Sequence, residues 1–329
     1  MTVLAPTLEA FFTDRLMAQR RSSPHTIAAY RDTFRLLLAY TLETTGTPPA
    51  KLELSDLDAP LIGAFLDHLE TDRGVAVATR NLRLAAVHSL FRYAAMRHPE
   101  HAALIQRVLA IPAKRTDRGP ISYLTRAEID ALLAAPDRTT RLGRRDHALL
   151  ALTVQTGLRV SEVCGLQRSN ITLGTGAHVT CTGKGRKQRA TPLTPDTATT
   201  IGEWLTGTTG SPSDPLFPGP AGRPLTRDAI RRAVDRHVTT AARICPTLAT
   251  KRVSPHVLRH SAAMELLDAG VDAAVIALWL GHESIRTTDI YLHADMGIKE
   301  RALARLAPTP HAAARYRPPD TLIAFLEAL

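Results

Sequence analysis

The chain has 329 residues, a formal net charge of +10 and a pI of about 10.0. That length fits two domains of ~100–200 residues each, and 44% apolar with only 5% aromatic residues points to helical cores rich in Leu, Ala and Val. Cys164, Cys181 and Cys245 are isolated and form no CxxC pair, which argues against a disulfide framework and a cysteine zinc site. The N-terminus lacks a basic segment followed by an apolar run, and no 18-residue apolar stretch occurs, so the expectation is a cytoplasmic protein without a membrane partner.

Charge is unevenly spread. Residues 1–112 hold 12 of the 41 Lys and Arg and 11 of the 31 Asp and Glu, so the basic excess lies beyond them. A field of that sign attracts polyanions, of which nucleic acid is the commonest, although an arginine-rich composition alone would give the same balance.

Residues 7–110 read as helix almost throughout. Leu8, Phe11, Phe12 and Leu16 recur at helical spacing. Ser23-Pro24 supplies an N-cap and a first-turn proline ahead of Ile27, Tyr30, Phe34, Leu37 and Leu38. Gly46-Thr47-Pro48-Pro49 is a break, and two more amphipathic runs follow at 61–69 and 79–96, giving a four-helix unit over 1–111. The polar, basic stretch 112–123 is the expected linker. Thr125-Arg126-Ala127-Glu128 has capping-box spacing and opens the second domain, 124–310. A helical run over 146–155 ends at Gly157. From Ile171 to Leu193 the pattern turns to alternation around Gly183-Lys184-Gly185, which predicts a small antiparallel sheet with a glycine-rich turn. Helices resume at 194–205, 226–242, 254–269, 272–280 and 284–293. A tail over 311–329 closes with a short helix whose Leu322, Ile323, Phe325, Leu326 and Leu329 form an apolar face. The expected fold is mainly α with a small antiparallel β-sheet.

Four segments concentrate chemistry: TGLRVSE (156–162), GKGRKQR (183–189), SPHVLRH (254–260) and LGHESIRTTDIYLH (280–293). Each alone has an ordinary reading, such as an ion-paired surface arginine or a lysine in a hairpin turn. The glycine-rich turn lacks the GxxxxGK[ST] spacing of a P-loop. His256 and His260 are spaced i,i+4, but Val257, Leu258 and Arg259 lie between them, and an arginine repels a metal ion, so no metal is expected.

In order and spacing the four segments resemble the tyrosine recombinase family of phage integrases and Xer-like site-specific recombinases. That family's pattern runs Arg, Lys on a β-hairpin, His-x-x-Arg, His or Trp, then Tyr. Here the positions are Arg159, Lys184, His256 with Arg259, His282 and Tyr291, with Glu162 as structural support for Arg159. The run SPHTIAAYRDTFRLLLAY is similar to the family's helical DNA-clamping domain. The resemblance implies a clamp around duplex DNA at specific recombination sites, a tetramer on two sites, possible accessory proteins, nucleoid association and no cofactor. It further implies that Tyr291 forms a 3′-phosphotyrosine and that Lys184 protonates the leaving 5′-oxygen. His256 would accept the tyrosine proton or orient the phosphate, and His282 would hydrogen-bond a non-bridging oxygen. The tail helix would dock on a neighbouring protomer or on its own domain.

Elementary chemistry agrees with the resemblance. A phenol of pKa ~10 needs activation by a base or cationic neighbours. Arg159 and Arg259 are permanently charged forks suited to phosphate, and Ser254-Pro255 puts His256 and Arg259 in the first turns of one helix, on one face. Arg227, Arg231, Arg232 and Arg236, with Lys187 and Arg189, are the expected DNA-contacting cations. A type IB topoisomerase shares this chemistry, and a non-catalytic DNA-binding factor could share the scaffold.

Overall fold

A computed structural model describes residues 2–116, 121–183, 187–282 and 288. In its first part, Leu4–Ala10 (α1) runs on without a break into a π-wound segment, Phe11–Gln19. Helix α2, Pro24–Thr45, begins where the Ser23 hydroxyl accepts from the Thr26 N–H and ends at left-handed Gly46. Helices α3 (Ala59–Thr71), α4 (Val77–Ala95) and α5 (Ala102–Leu109) complete this unit. Its core is aromatic where the helices meet: Phe11 is fully buried, stacks on Tyr30 and meets Phe34 edge-on. Helix α5 is an addition to the four expected runs. It lies within the stretch 7–110 read as helix and buries Ile105 and Val108.

The chain divides into two compact units, Met1–Gly119 and Pro120–Leu329. The segment 112–123 is held at both ends. Arg80 donates to the Pro112 carbonyl at 3.1 Å, and the Asn81 amide exchanges two hydrogen bonds with the Lys114 backbone. At the other end the Leu124 N–H donates to Ser261 Oγ at 2.8 Å, and Lys251 Nζ donates to the Tyr123 carbonyl.

The second unit opens with α6, Arg126–Ala134, which carries the capping box read from sequence: Thr125 and Glu128 satisfy each other's backbone N–H. Helix α7, Arg141–Thr156, is its axis, with Leu149, Leu150 and Leu152 buried. Then come α8 (Val160–Cys164) and a three-stranded antiparallel sheet, β1 (Ile171–Thr172), β2 (His178–Thr182) and β3 (Gln188–Pro192), in that spatial order. Helices α9 (Pro195–Thr206), α10 (Arg227–Ala241), α11 (Pro255–Asp268) and α12 (Ala273–Leu280) follow. The sheet's inner face, with Val179 and Cys181, packs into the same core as Ile201, Trp204 and Leu258. The expected helices over 284–293 and 320–329 lie outside the described residues, Thr288 apart. Among the described residues no helix is long and apolar enough to cross a membrane.

One buried acid ties α7 to α10. Asp146 is fully buried and accepts from Arg145, Arg236 and His237, with Arg236 Nη2 and His237 Nε2 on one oxygen at 2.7 and 2.9 Å. Burial pushes its carboxyl up, but the hydrogen bonds from His237 and Arg145 outweigh that and hold it below the ordinary carboxylate value. Removing one partner from such a group strands charge in a dry site. Asp146→Ala should therefore cost about 3–5 kcal/mol of folding stability, read as a lower denaturant midpoint at unchanged m-value.

Candidate active site

Two helix ends frame the site. Helix α7 stops at Gly157 (φ 62°) and α12 at Gly281 (φ 66°), both left-handed. A helix leaves its last carbonyls without intrahelical donors, and here arginines supply donors. Arg259 is buried on α11 and donates through Nη1 to the Gly157 carbonyl at 2.6 Å and through Nη2 to the Leu280 carbonyl at 2.8 Å. Arg159, the N-cap of α8, donates through Nη2 to the Gly281 carbonyl at 2.9 Å. The glycines are required for packing as well as for φ. A Cβ on Gly157 would meet Leu280 Cδ2 at 2.5 Å, and one on Gly281 would meet Arg189 Nη1 at 2.8 Å.

Glu162 organises the cations. Its Oε2 accepts from the Arg159 backbone N–H and its Oε1 from Arg159 Nη1, at 2.8 and 3.1 Å. Arg189, on β3, closes a two-pronged bridge to the same carboxylate at 2.9 and 2.7 Å and donates from Nε to the Trp279 carbonyl. Burial pushes the Glu162 carboxyl up, but the hydrogen bonds from Arg189 and the Arg159 backbone, with both positive charges, bring it below its ordinary value.

The histidines share this surrounding. His282 pairs Nδ1 with Thr288 Oγ1 at 2.9 Å. Burial, then the charges of Arg259 and Arg159, push its pKa down from 6.5 to about 4. His256 is lowered by burial and the same two arginines, and its ring meets that of His260 edge-to-face at 4.4 Å between centroids. His260 falls to about 4 through burial and the neighbouring His256 and Arg259. His260 and His282 are therefore neutral at pH 7, able to donate or accept a proton, and sit beside fixed positive charge.

The structure thus brings Arg159, Glu162, His256, Arg259 and His282 into one neighbourhood. Gly183, whose N–H closes the hairpin on the Lys187 carbonyl at 2.8 Å, has its Cα against Arg189 and Glu162. Lys184 follows it and, like Tyr291, lies outside the described residues. Of the expected DNA-contacting cations, Arg227, Arg231, Arg232 and Lys187 are exposed, with Arg231 Nε at 3.7 Å from Asp235. Arg236 is exposed yet bonded to Asp146, and the Arg189 side chain is only 14% exposed and turned inward. The Gly157, Leu280 and Gly281 carbonyls belong to the site as well, although in sequence only their glycines stand out, inside the TGLR and LGH segments. Among the described residues no three His, Cys, Asp or Glu gather as a metal site.

The class the fold and site define is a helical unit followed by a helical unit with a small sheet, whose helix ends gather arginines and histidines of a kind suited to an anion. The phage integrase family model matches residues 122–297, and that for the phage integrase N-terminal SAM-like domain matches 10–98. The chain is 53% identical over 326 residues to the integrase/recombinase y4rC of Sinorhizobium fredii, covering 99% of this chain and 98% of that relative. It is 34% identical over 313 residues to the tyrosine recombinase XerC of Rhodospirillum centenum, covering 94% and 88% of the two. The fold is similar to that of the XerH site-specific recombinase solved in a post-cleavage complex with a palindromic difH substrate, with a TM-score of 0.71 at 23% identity over 87% of this chain and 81% of that one. The chain belongs to the phage integrase family, that of the tyrosine recombinases.

Two outcomes test the pocket. Between pH 6.5 and 4 the unfolded chain takes up protons that folded His260 and His282 refuse, so stability should be independent of these groups above 6.5 and fall steadily towards pH 4. Thermal melts should show a smaller acid loss when His282 is replaced by Gln. Gly281→Ala should cost about 1–2 kcal/mol from its left-handed backbone alone, and should slow DNA cleavage by moving Arg189.

Proposed function

We propose that this protein is a site-specific recombinase that cuts and rejoins duplex DNA through Tyr291. The observation that carries the reading is the convergence of Arg159 and Arg259 on two helix ends beside a neutral His282. Phosphoryl transfer needs charge stabilisation on the non-bridging oxygens, an activated nucleophile and a proton for the leaving oxygen. In this reading the Tyr291 oxygen forms a bond to phosphorus as the bond to the 5′-oxygen breaks. Lys184 gives the 5′-oxygen its proton, His256 accepts the phenolic proton or orients the phosphate, and Arg159, Arg259 and His282 hold the non-bridging oxygens. Rejoining is the reverse, with the 5′-hydroxyl of a partner duplex as nucleophile. The phosphotyrosyl link conserves the bond energy, so neither ATP nor metal is required.

The relatives' names support recombination as the outcome, and the XerH structure carries DNA. Assembly as a tetramer on two sites, with exposed Arg227, Arg231, Arg232 and Lys187 against DNA phosphates, belongs to the same proposal. So do an N-terminal DNA-clamping domain over 1–111, a catalytic domain over 124–310 and a docking tail over 311–329. Phosphate contacts would make affinity fall steeply with salt. The test is covalent trapping. Wild type and Tyr291→Phe are expressed in a host carrying the flanking DNA, lysed in denaturant, and the protein-linked DNA ends are sequenced. Site-restricted adducts from the wild type alone are expected. Adducts without sequence preference would indicate topoisomerase-like nicking, and equal recovery from both proteins would sink the tyrosine chemistry.

A further inference from the structure

The Glu162 carboxylate sits between two arginines, and only one of them faces solvent. The Arg159 side chain is 34% exposed, while that of Arg189 is 14% and that of Glu162 is 4%. A carboxylate has about four lone-pair sites. Here Arg189 Nη1 and Arg159 Nη1 share Oε1, and Arg189 Nη2 and the Arg159 backbone N–H share Oε2. The acid is saturated, and Arg159 gives it only one side-chain N–H while a second goes to the Gly281 carbonyl.

We propose that Arg189 is a positioning residue for DNA cleavage, gripping Glu162 so that this carboxylate does not close on Arg159. Two guanidiniums and one carboxylate leave the group one net positive charge, and Arg159, the more accessible member, presents it to a phosphate. Without Arg189, a buried carboxylate would keep two acceptor sites empty, at a cost that drives the nearest donor towards it. That donor is Arg159. The Glu162–Arg159 pair would then be formally neutral, with the arginine drawn onto the carboxylate.

Arg189 is held for this task by three contacts. Its β3 position pairs with Cys181 on β2, whose side chain is buried, so the register turns Arg189 to the inner face. Its Nε donates to the Trp279 carbonyl near the end of α12 at 3.2 Å. Its guanidinium lies against the Cα of Gly281, where a Cβ would come within 2.8 Å of Nη1. The residue that restrains Glu162 thereby also joins β3 to the C-terminal end of α12, ahead of His282.

This inference rests on the recombinase reading, and the experiment separates the two. The probe is a nicked duplex carrying the site recovered by covalent trapping, which loses a short fragment on cleavage so that the adduct accumulates. Binding is measured by gel shift and cleavage by adduct formation, for wild type, Arg189→Gln, Arg189→Lys and the double variant Arg189→Gln with Glu162→Gln. Arg189→Gln should bind the duplex within roughly threefold of wild type yet cleave it roughly tenfold or more slowly, the scale of losing one charge-stabilising group. Arg189→Lys should fall between them, because it keeps the charge but not the two-pronged geometry. The double variant should regain several-fold of the lost rate, since the neutral amide of Glu162→Gln no longer consumes the charge of Arg159. The proposal is overturned if Arg189→Gln loses binding in proportion to cleavage, which would make Arg189 a DNA contact. It is equally overturned if the double variant is no faster than Arg189→Gln, which would make the bridge merely structural. Should Arg189→Gln not fold, Arg189→Lys paired with the same Glu162→Gln change gives the comparison. Failure of the wild type itself to form an adduct would instead reject the recombinase reading.

Discussion

Hydrogen bonds from two guanidiniums to the carbonyls that end α7 and α12 set the geometry on which the pocket depends. A helix terminus needs donors for its last carbonyls, and an arginine needs acceptors to be fixed in direction. Arg259 and Arg159 satisfy both demands together, with Arg259 spanning Gly157 and Leu280 and Arg159 reaching Gly281. Because each helix stops in a left-handed glycine, the chain turns away tightly enough for α11, α12 and α8 to converge. A bulkier residue at either glycine would displace Leu280 or Arg189.

The pocket's electrostatics follow from that packing. Burial first, and then neighbouring charge, keep His260 and His282 neutral, so proton donors and acceptors stand next to groups suited to an anion. One carboxylate, Glu162, moderates the cations without cancelling them, because Arg189 takes half of its acceptor capacity. A second buried acid, Asp146, plays a structural part elsewhere in this unit, tethering Arg236 and His237 of α10 to α7. Arg236 shows that an arginine on a basic helix is not thereby a DNA contact, since part of its guanidinium is committed to the core.

Much of this was legible because local rules govern it. The capping pairs at Ser23 and Thr125, the proline at the start of α11 and the glycines after α7 and α12 are short-range signals, and each marks a boundary the structure has. The alternation over 178–182 with a glycine turn gave a hairpin for the same reason. Helix α5 falls within the stretch 7–110 read as helix but is not separated there as a run of its own. The inward turn of Arg189 was not legible, because nothing in GRKQR says which face of the strand it occupies. That depends on the register opposite Cys181, which is set by contacts between strands and core.

By itself the sequence determined the class of fold, the family and the set of reactive residue types, since these reside in order, spacing and side-chain chemistry. Only the tertiary structure decided which cations are turned to solvent and which are consumed by buried acids. Arg159 and Arg189 have the same guanidinium, and both lie within reach of Glu162. The first keeps a third of its side chain exposed and the second is packed under Gly281 because α12 and β3 meet there. Burial and partner choice depend on distances between segments far apart in the chain, and no local pattern encodes them.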